Sequence, residues 1–173
     1  MGLLTPDRYV RAVTVVNLDE LWAQGKRALL LDRDNTIVPR DTSTVPADVA
    51  AWIDHAHGLG FKLCFVSNNW AKNVRPDAER LGTAMVTRAA KPLPFALWHA
   101  LRKLGVSRKQ AVLMGDQVFT DMLGGKLAGI DTVLVAPQSA VELDHSLALR
   151  GLEARVLKGL APEEGTAPSE LER

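Results

Sequence analysis

Cysteine is almost missing from this 173-residue chain: Cys64 stands alone, so no internal disulfide can form and a reducing compartment suits it. Cys64 lies within Gly60-Phe61-Lys62-Leu63-Cys64-Phe65-Val66, where a thiol is expected to pack as a small core hydrophobe. A dominant charge is missing too. The 21 lysines and arginines nearly balance the 20 acids, for a net charge of +1, which argues against a general nucleic-acid binder. No apolar run reaches the roughly 18 residues that a membrane span needs. No secretory pattern opens the sequence, and Pro6 stands where a myristoylation site wants serine or threonine. The expectation is a soluble, cytoplasmic protein, at most peripheral to a membrane. Nucleotide loops are absent as well. Gly124-Gly125-Lys126 is followed by Leu127 instead of serine or threonine, and Gly58-Leu59-Gly60 follows a helical pattern, not a strand. There are no internal repeats.

Short apolar runs alternate with amphipathic stretches. Strands are expected at 28–32, 61–67, 84–87, 111–115 and 132–136, and helices at about 46–59, 71–81, 94–104 and 119–128. Pro46 suits a first helical turn, while Gly58, Gly60, Gly105 and Gly129 suit helix ends. The strand runs are continuously apolar, as burial on both faces of a parallel sheet requires. Right-handed crossovers then give an α/β fold, a three-layer, Rossmann-like, doubly wound parallel sheet. The length suits one domain, expected over residues 1–158. From Gly159 to Arg173 the chain turns to Ala, Pro, Glu, Gly and Ser with a single basic residue, and a disordered acidic tail is expected there.

The run Leu29-Leu30-Leu31 ends in Asp32-Arg33-Asp34-Asn35-Thr36. Ligands of open α/β sheets bind beyond the carboxyl ends of the strands. The next expected strand ends in Ser67-Asn68-Asn69, the third leads to Lys91, and the fourth ends in Gly115-Asp116, with Asp121 a turn later. Residues two apart in an extended chain point the same way, so Asp32 and Asp34 can face one ligand. With Asp116 they make a hard, oxygen-rich pocket suited to Mg²⁺, which keeps waters and phosphate oxygens among its ligands. Asn35 and Thr36 could turn the chain and donate to an oxyanion; Ser67 and Lys91 could bind the same phosphoryl group. Each piece alone has a bland reading, as a turn, a helix cap or a solvated lysine. Their joint order at successive strand ends points to a site. His55 and His57 are two apart, the wrong spacing for one helical face, and His99 and His145 have no partners by spacing. Trp22, Trp52 and Trp98 read as core or rim anchors, and Trp70, directly after Asn69, as a border of the site.

These motifs resemble the haloacid dehalogenase (HAD) superfamily of phosphohydrolases over roughly residues 28–136. The resemblance implies that Asp32 is the nucleophile, Asp34 the general acid/base, Ser67 and Lys91 phosphate ligands and Asp116 a metal ligand. Asp121 would be a further metal ligand or the partner of one, and donors near Asn68 would hold phosphoryl oxygens. Pro6-Asp7-Arg8-Tyr9-Val10, Ser67-Asn68-Asn69 and Gly115-Asp116-Gln117-Val118-Phe119-Thr120-Asp121 are similar to the YqeG branch of subclass IIIA, related to mitochondrial phosphatidylglycerophosphate phosphatases. Arg33 falls at a position that varies in the superfamily.

Residues 37–66 and 68–90 leave no room for a separate cap domain, so an open site is expected. Water would then be excluded by a large substrate, a membrane surface or another subunit. Arg40, Lys72, Arg75 and Arg88 fall near that edge and could attract an anionic partner. The leading expectation is a Mg²⁺-dependent phosphomonoesterase working through an aspartyl-phosphate, with a phosphorylated glycerolipid headgroup as substrate. A sugar phosphate, nucleotide or phosphoprotein is the alternative within the same class. A phospho-accepting receiver would place its lysine after the last acid, whereas Lys91 precedes Asp116. A non-catalytic binding module is disfavoured because every expected residue is present. The sequence leaves the oligomeric state open.

Overall fold

The run Ala28-Leu29-Leu30-Leu31 is wholly buried, and its alternating residues explain why. Leu29 and Leu31 join one apolar cluster, with Val49, Trp52 and Ile53 of one helix and Val74 and Ala78 of the next. Ala28 and Leu30 join another, with Leu97, Ala100 and Leu101. A strand with helices on both sides has no polar face, so it reads as an unbroken apolar run.

The computed structural model describes residues 2–139 and 151–165. The elements run β1 (Arg8–Val10), α1 (Leu18–Ala23), β2 (Ala28–Leu31), α2 (Ala47–Leu59), β3 (Lys62–Val66), α3 (Ala71–Arg80), β4 (Ala84–Val86), α4 (Phe95–Leu104), β5 (Ala111–Gly115), α5 (Leu123–Ala128) and β6 (Asp131–Val135). Six parallel strands lie in the order β1-β6-β5-β2-β3-β4. Helices α1, α2 and α3 pack on one face and α4 and α5 on the other, giving the expected three-layer, doubly wound α/β sheet. Strand order reverses at β2, whose neighbours are β3 on one side and β5 on the other. The carboxyl ends of β2 and β5 therefore flank the crevice where such sheets bind ligands. Among the described residues, no helix is long and apolar enough to cross a membrane.

The five expected strands and four expected helices are present with small shifts at their ends. The stretch expected as one helix at 119–128 is divided, with a π-helical turn over Val118–Met122 leading into α5. Two elements were not expected. Helix α1 has six residues, begun by Asn17, whose side chain accepts from Glu20 N. Strand β1 has three, too few to show a period. It is held by Asp7, whose carboxylate accepts from Thr132 N (2.8 Å) and Thr132 Oγ1 (3.0 Å) and pairs with Lys126. Burial alone would raise the Asp7 pKa; Lys126 and Thr132 outweigh it and hold the carboxyl below its usual range.

The tail differs from expectation in its first part. Glu163 bridges Val10 in parallel, its N–H donating to Tyr9 O and its carbonyl accepting from Arg11 N, while its carboxylate pairs with Arg8 at 2.5 Å. The free edge of β1 offers unpaired backbone groups, and this short stretch satisfies them. Residues 166–173 of the expected tail lie outside the described residues, as does His145. Cys64 is fully buried, and burial pushes its thiol up to about 11, as fits a core role.

Gly125 brings α5 close to the sheet: a Cβ there would stand 2.4 Å from Thr132 Cγ2 and 3.1 Å from Leu113 Cδ2. Gly124 faces the Pro92 backbone instead, where a Cβ would stand 3.3 Å from Pro92 O, so close packing gives both glycines a reason. Gly125→Ala should lower stability by about 1–3 kcal/mol in denaturant unfolding, as overpacking does. Gly58→Ala, in α2 with nothing within 4 Å, should leave stability unchanged or slightly higher.

Candidate active site

Asp32 continues the β2 ladder, its N–H donating to Met114 O at 2.8 Å, so its side chain leaves the sheet beside the end of β5. There it meets Asp116 and Asp121. One carboxylate oxygen from each of the three lies within 4.8 Å of the others, and all three residues are buried. Lys91, equally buried, donates from Nζ to Asp32 Oδ1 and to Asp121 Oδ1, each at 2.6 Å. Three carboxylates are thus gathered away from water around one ammonium. Such a cluster could hold a divalent cation, for which carboxylate oxygens are the fitting donors. Burial pushes the Asp32 carboxyl up to about 7, against the pull of Lys91 and with the help of Asp121 and Asp34. Burial disfavours the charge on Lys91, yet Asp121 and Asp32 outweigh it and hold the ammonium above the ordinary lysine range.

Each segment is built to present its group. The turn after Asp32 is closed by Ile37 N and Val38 N donating to Arg33 O, with Asn35 N donating to Val38 O. It places Asn35 in the left-handed region (φ 62°), which asparagine tolerates because its short side chain finds local partners. The partners here are Ser139 N and Oγ, both donating to Asn35 Oδ1 at 2.9 Å. Asn35 is thus fastened to the segment after β6. Thr36 Oγ1 is buried and has no hydrogen-bond partner among the described residues. Neither residue lines the cleft, although both were expected to face a phosphate.

The cleft, about 270 Å³, is lined by the expected Asp32, Asp34, Ser67, Asn68, Lys91, Asp116 and Asp121, together with Arg40, Asn69, Gln117 and Thr120. Ser67 Oγ accepts from Asn69 N at 3.1 Å, which leaves its own hydroxyl proton to donate. Asn68 Oδ1 accepts from Lys91 N at 2.9 Å, fixing the backbone that carries the ammonium. Asp121 stands on the π-helical turn, a geometry common at functional sites. Its Oδ2 accepts from Gln117 N, and Glu153 Oε1, in a helical stretch over residues 151–156, accepts from Val118 N at 2.8 Å, anchoring the same turn.

Asp34 was expected among the metal ligands with Asp32 and Asp116. In the structure it is Asp121 that lies within 4.8 Å of both, while Asp34 is held from two sides. Arg33 Nη1 donates to its Oδ1 at 2.6 Å and Asn69 Nδ2 to its Oδ2 at 2.5 Å. Arg33 is itself clamped by Asp77 of α3, with Nε at 2.8 Å and Nη2 at 2.6 Å from Oδ2. Sequence reasoning did not assign Arg33, Asp77 or Asn69 to the site. Arg33, between the two acids, was the signal that could have found the clamp. Of the four edge cations, Arg40 lines the cleft, Arg88 lines a neighbouring depression, and Lys72 and Arg75 line neither. His55 pairs with Asp19 and His57 with Leu81 O, both away from the carboxylates.

Gly115 makes room for Asp121. A Cβ on it would stand 2.3 Å from Asp121 Cγ and 2.4 Å from Oδ2. Gly115→Ala must therefore move the Asp121 carboxylate off Lys91. In calorimetric titration with Mg²⁺ the variant should bind on the order of tenfold more weakly than the parent.

A family description, haloacid dehalogenase-like hydrolase, matches residues 7–129. The probable phosphatase YqeG of Bacillus subtilis (strain 168) is 30% identical over 155 residues, covering 90% of each chain. Among solved structures, the cobalt-bound deoxy-D-mannose-octulosonate 8-phosphate phosphatase of Haemophilus influenzae superposes with a TM-score of 0.54 at 14% identity, over 78% of this chain and 89% of that one. An uncharacterized protein of Listeria monocytogenes serotype 4b gives 0.52 at 17% identity, over 76% and 98%. These two share the fold. With the family match covering most of the chain and YqeG aligning over nearly all of it, the protein belongs to the haloacid dehalogenase-like hydrolases.

Proposed function

We propose that this hydrolase is a Mg²⁺-dependent phosphatase that cleaves phosphomonoesters through an aspartyl-phosphate on Asp32. The family and the YqeG relative support the phosphatase class. The observation that carries the mechanism is the placement of Asp32, buried and tied to Lys91 through Oδ1, in one cleft with a second carboxylate, Asp34, that is held by different partners. Two carboxylates in separate settings can take separate roles.

In the first step the free oxygen of Asp32 attacks phosphorus, the bond to the ester oxygen breaks, and protonated Asp34 gives its proton to the leaving alcohol. In the second, water attacks the phosphorus of the acyl phosphate and gives a proton to Asp34. The bond to Asp32 then breaks and inorganic phosphate leaves. Lys91 offsets the charge that Asp32 and the phosphoryl group bring together, and Ser67 and the donors near Asn68 hold its oxygens. A divalent cation held by Asp32, Asp116 and Asp121 would neutralise phosphoryl oxygens.

For the substrate we propose a phosphorylated glycerolipid headgroup, of the phosphatidylglycerophosphate kind, presented at a membrane surface. The supporting feature is the cleft's surroundings. Among the described residues no further domain covers it, and the segments that carry Ser67 and Lys91 continue into Trp70 (60% exposed), Leu93 (52%) and Phe95 (66%). Exposed apolar side chains on the segments that lead away from a polar cleft suit a lipid aggregate, which would also exclude water from the reaction.

Asp32→Asn should abolish turnover, at least a thousandfold in kcat, while the far-ultraviolet circular dichroism stays that of the parent. Trapping after acid quench should find phosphate on the parent and none on the variant; near-parent turnover by the variant would move the nucleophile elsewhere. Chelation should stop turnover of phosphatidylglycerophosphate in mixed micelles, and added Mg²⁺ should restore it. Equal kcat/KM on those micelles and on glycerol 3-phosphate would favour a soluble phosphomonoester instead.

A further inference from the structure

Beside the catalytic cleft lies a second depression, about 340 Å³, lined by Asn68, Trp70, Arg88 and Ala90. Asn68 lines both, so the two adjoin at this residue. Nothing in the mechanism uses this second space, yet its construction is unusual. Arg88 and Ala90 both sit in the left-handed region (φ 52° each), where neither side chain is at ease. Such backbone persists only when its surroundings impose it. Here Arg88 N donates to Asn69 O, Ala89 N to Ser67 O, and Lys91 N to Asn68 Oδ1. The contacts that set the phosphate-binding edge thus also set the direction of Arg88.

The Arg88 guanidinium lies 4.6 Å over the exposed Trp70 ring. Stacking holds an arginine by its face and leaves the N–H groups at its edge available as donors. Among the described residues, no carboxylate forms an ion pair with Arg88. Arg33, by contrast, is committed on both sides to Asp34 and Asp77, and Arg40 lines the catalytic cleft itself. Arg88 is therefore a pre-oriented cation, next to the cleft but outside it, on an apolar ring.

We propose that Arg88 and Trp70 form a leaving-group subsite, and that the substrate is a phosphomonoester whose alcohol carries a second anionic group, a phosphodiester or a carboxylate. This rests on the phosphomonoesterase reading above and adds what lies on the far side of the scissile bond. The second anion takes the fork of Arg88, and the carbon skeleton between the two acidic groups lies on the indole. Binding energy gained there, remote from phosphorus, positions the ester oxygen for Asp34.

The test compares three soluble esters: glycerol 3-phosphate, with no second anion; 3-phosphoglycerate, with a carboxylate; and the deacylated glycerophosphoglycerol phosphate, with a phosphodiester. Phosphatidylglycerophosphate in mixed micelles is a fourth arm, separating the headgroup's own chemistry from its lipid setting. The readout is the ratio of kcat/KM for each second-anion ester to that for glycerol 3-phosphate. A ratio within one preparation is insensitive to the fraction of folded enzyme. The parent should show a ratio of roughly ten or more for at least one soluble second-anion ester, as a charge-assisted hydrogen bond supplies. Arg88→Gln should bring that ratio close to one, chiefly through KM, and Arg88→Lys should recover part of it. Arg102→Gln, an exposed arginine on α4, should keep the parent's ratio. A parent ratio near one for both soluble esters, or a ratio unchanged in Arg88→Gln, overturns the subsite and leaves the phosphatase reading intact. No turnover of any of the four by the parent overturns both.

Discussion

A single buried ammonium, Lys91 Nζ, holds Asp32 and Asp121 together at 2.6 Å each, and much of the molecule is arranged so that it can. Without it, carboxylates from separate segments would meet in a space nearly closed to water, at a cost of several kcal/mol for each uncompensated charge. The side chain of Asn68 fixes the backbone that delivers the lysine. Gly115, stripped of a Cβ, gives Asp121 its place, and Gln117 N takes that carboxylate's other oxygen. The sheet brings the segments to one spot, because reversal of strand order at β2 sets the carboxyl ends of β2 and β5 side by side. The three carboxylates so gathered are the kind of oxygen donors that could hold a divalent cation.

The second carboxylate shows how separate environments are kept a few residues apart. Asp32 faces a lysine in the interior, whereas Asp34 lies between Arg33 and Asn69. Asp77 reaches across from α3 to hold Arg33, so the helix after β3 helps to orient a group delivered by β2. This brace makes Asp34 a poor candidate for drifting into the neighbouring acidic cluster. The cleft owes its polarity to these pairings and its openness to the short connections, which carry α2 and α3 and nothing larger.

What could be read in advance follows from the range of the interactions. Continuous apolar runs declared β2, β3 and β5 as strands buried on both faces, and the acids, Ser67 and Lys91 were legible because each closes such a run or follows it closely. Helix ends were marked by Gly60, Gly105 and Gly129, all with positive φ. Strand β1 was not legible, because its stability comes from Asp7 reaching Thr132, a contact 125 residues away. The approach of Asp121 to Asp32 and Asp116 was equally hidden, since it depends on where a π-helical turn aims a side chain. Asn35 read as an oxyanion donor because of its neighbours, yet its partner, Ser139, lies 104 residues on. Local pattern carries the elements and the candidate chemistry; long-range pairing decides which candidates meet.

The clasp of Glu163 on β1 has a consequence for how the molecule comes into being. Strand β1 sits between β6 on one flank and Glu163 on the other, and the Arg8–Glu163 contact spans 155 residues of chain. During synthesis β1 leaves the ribosome before the other five strands, yet both of its neighbours, β6 and Glu163, leave only after β5. It must wait, exposed, while β2, β3, β4 and β5 assemble beside their own helices. Closing so long a loop is entropically costly and slow compared with those local crossovers. The edge of the sheet is thus its last part to form, and a nascent chain halted before residue 163 would hold a nearly complete site on an unfinished border.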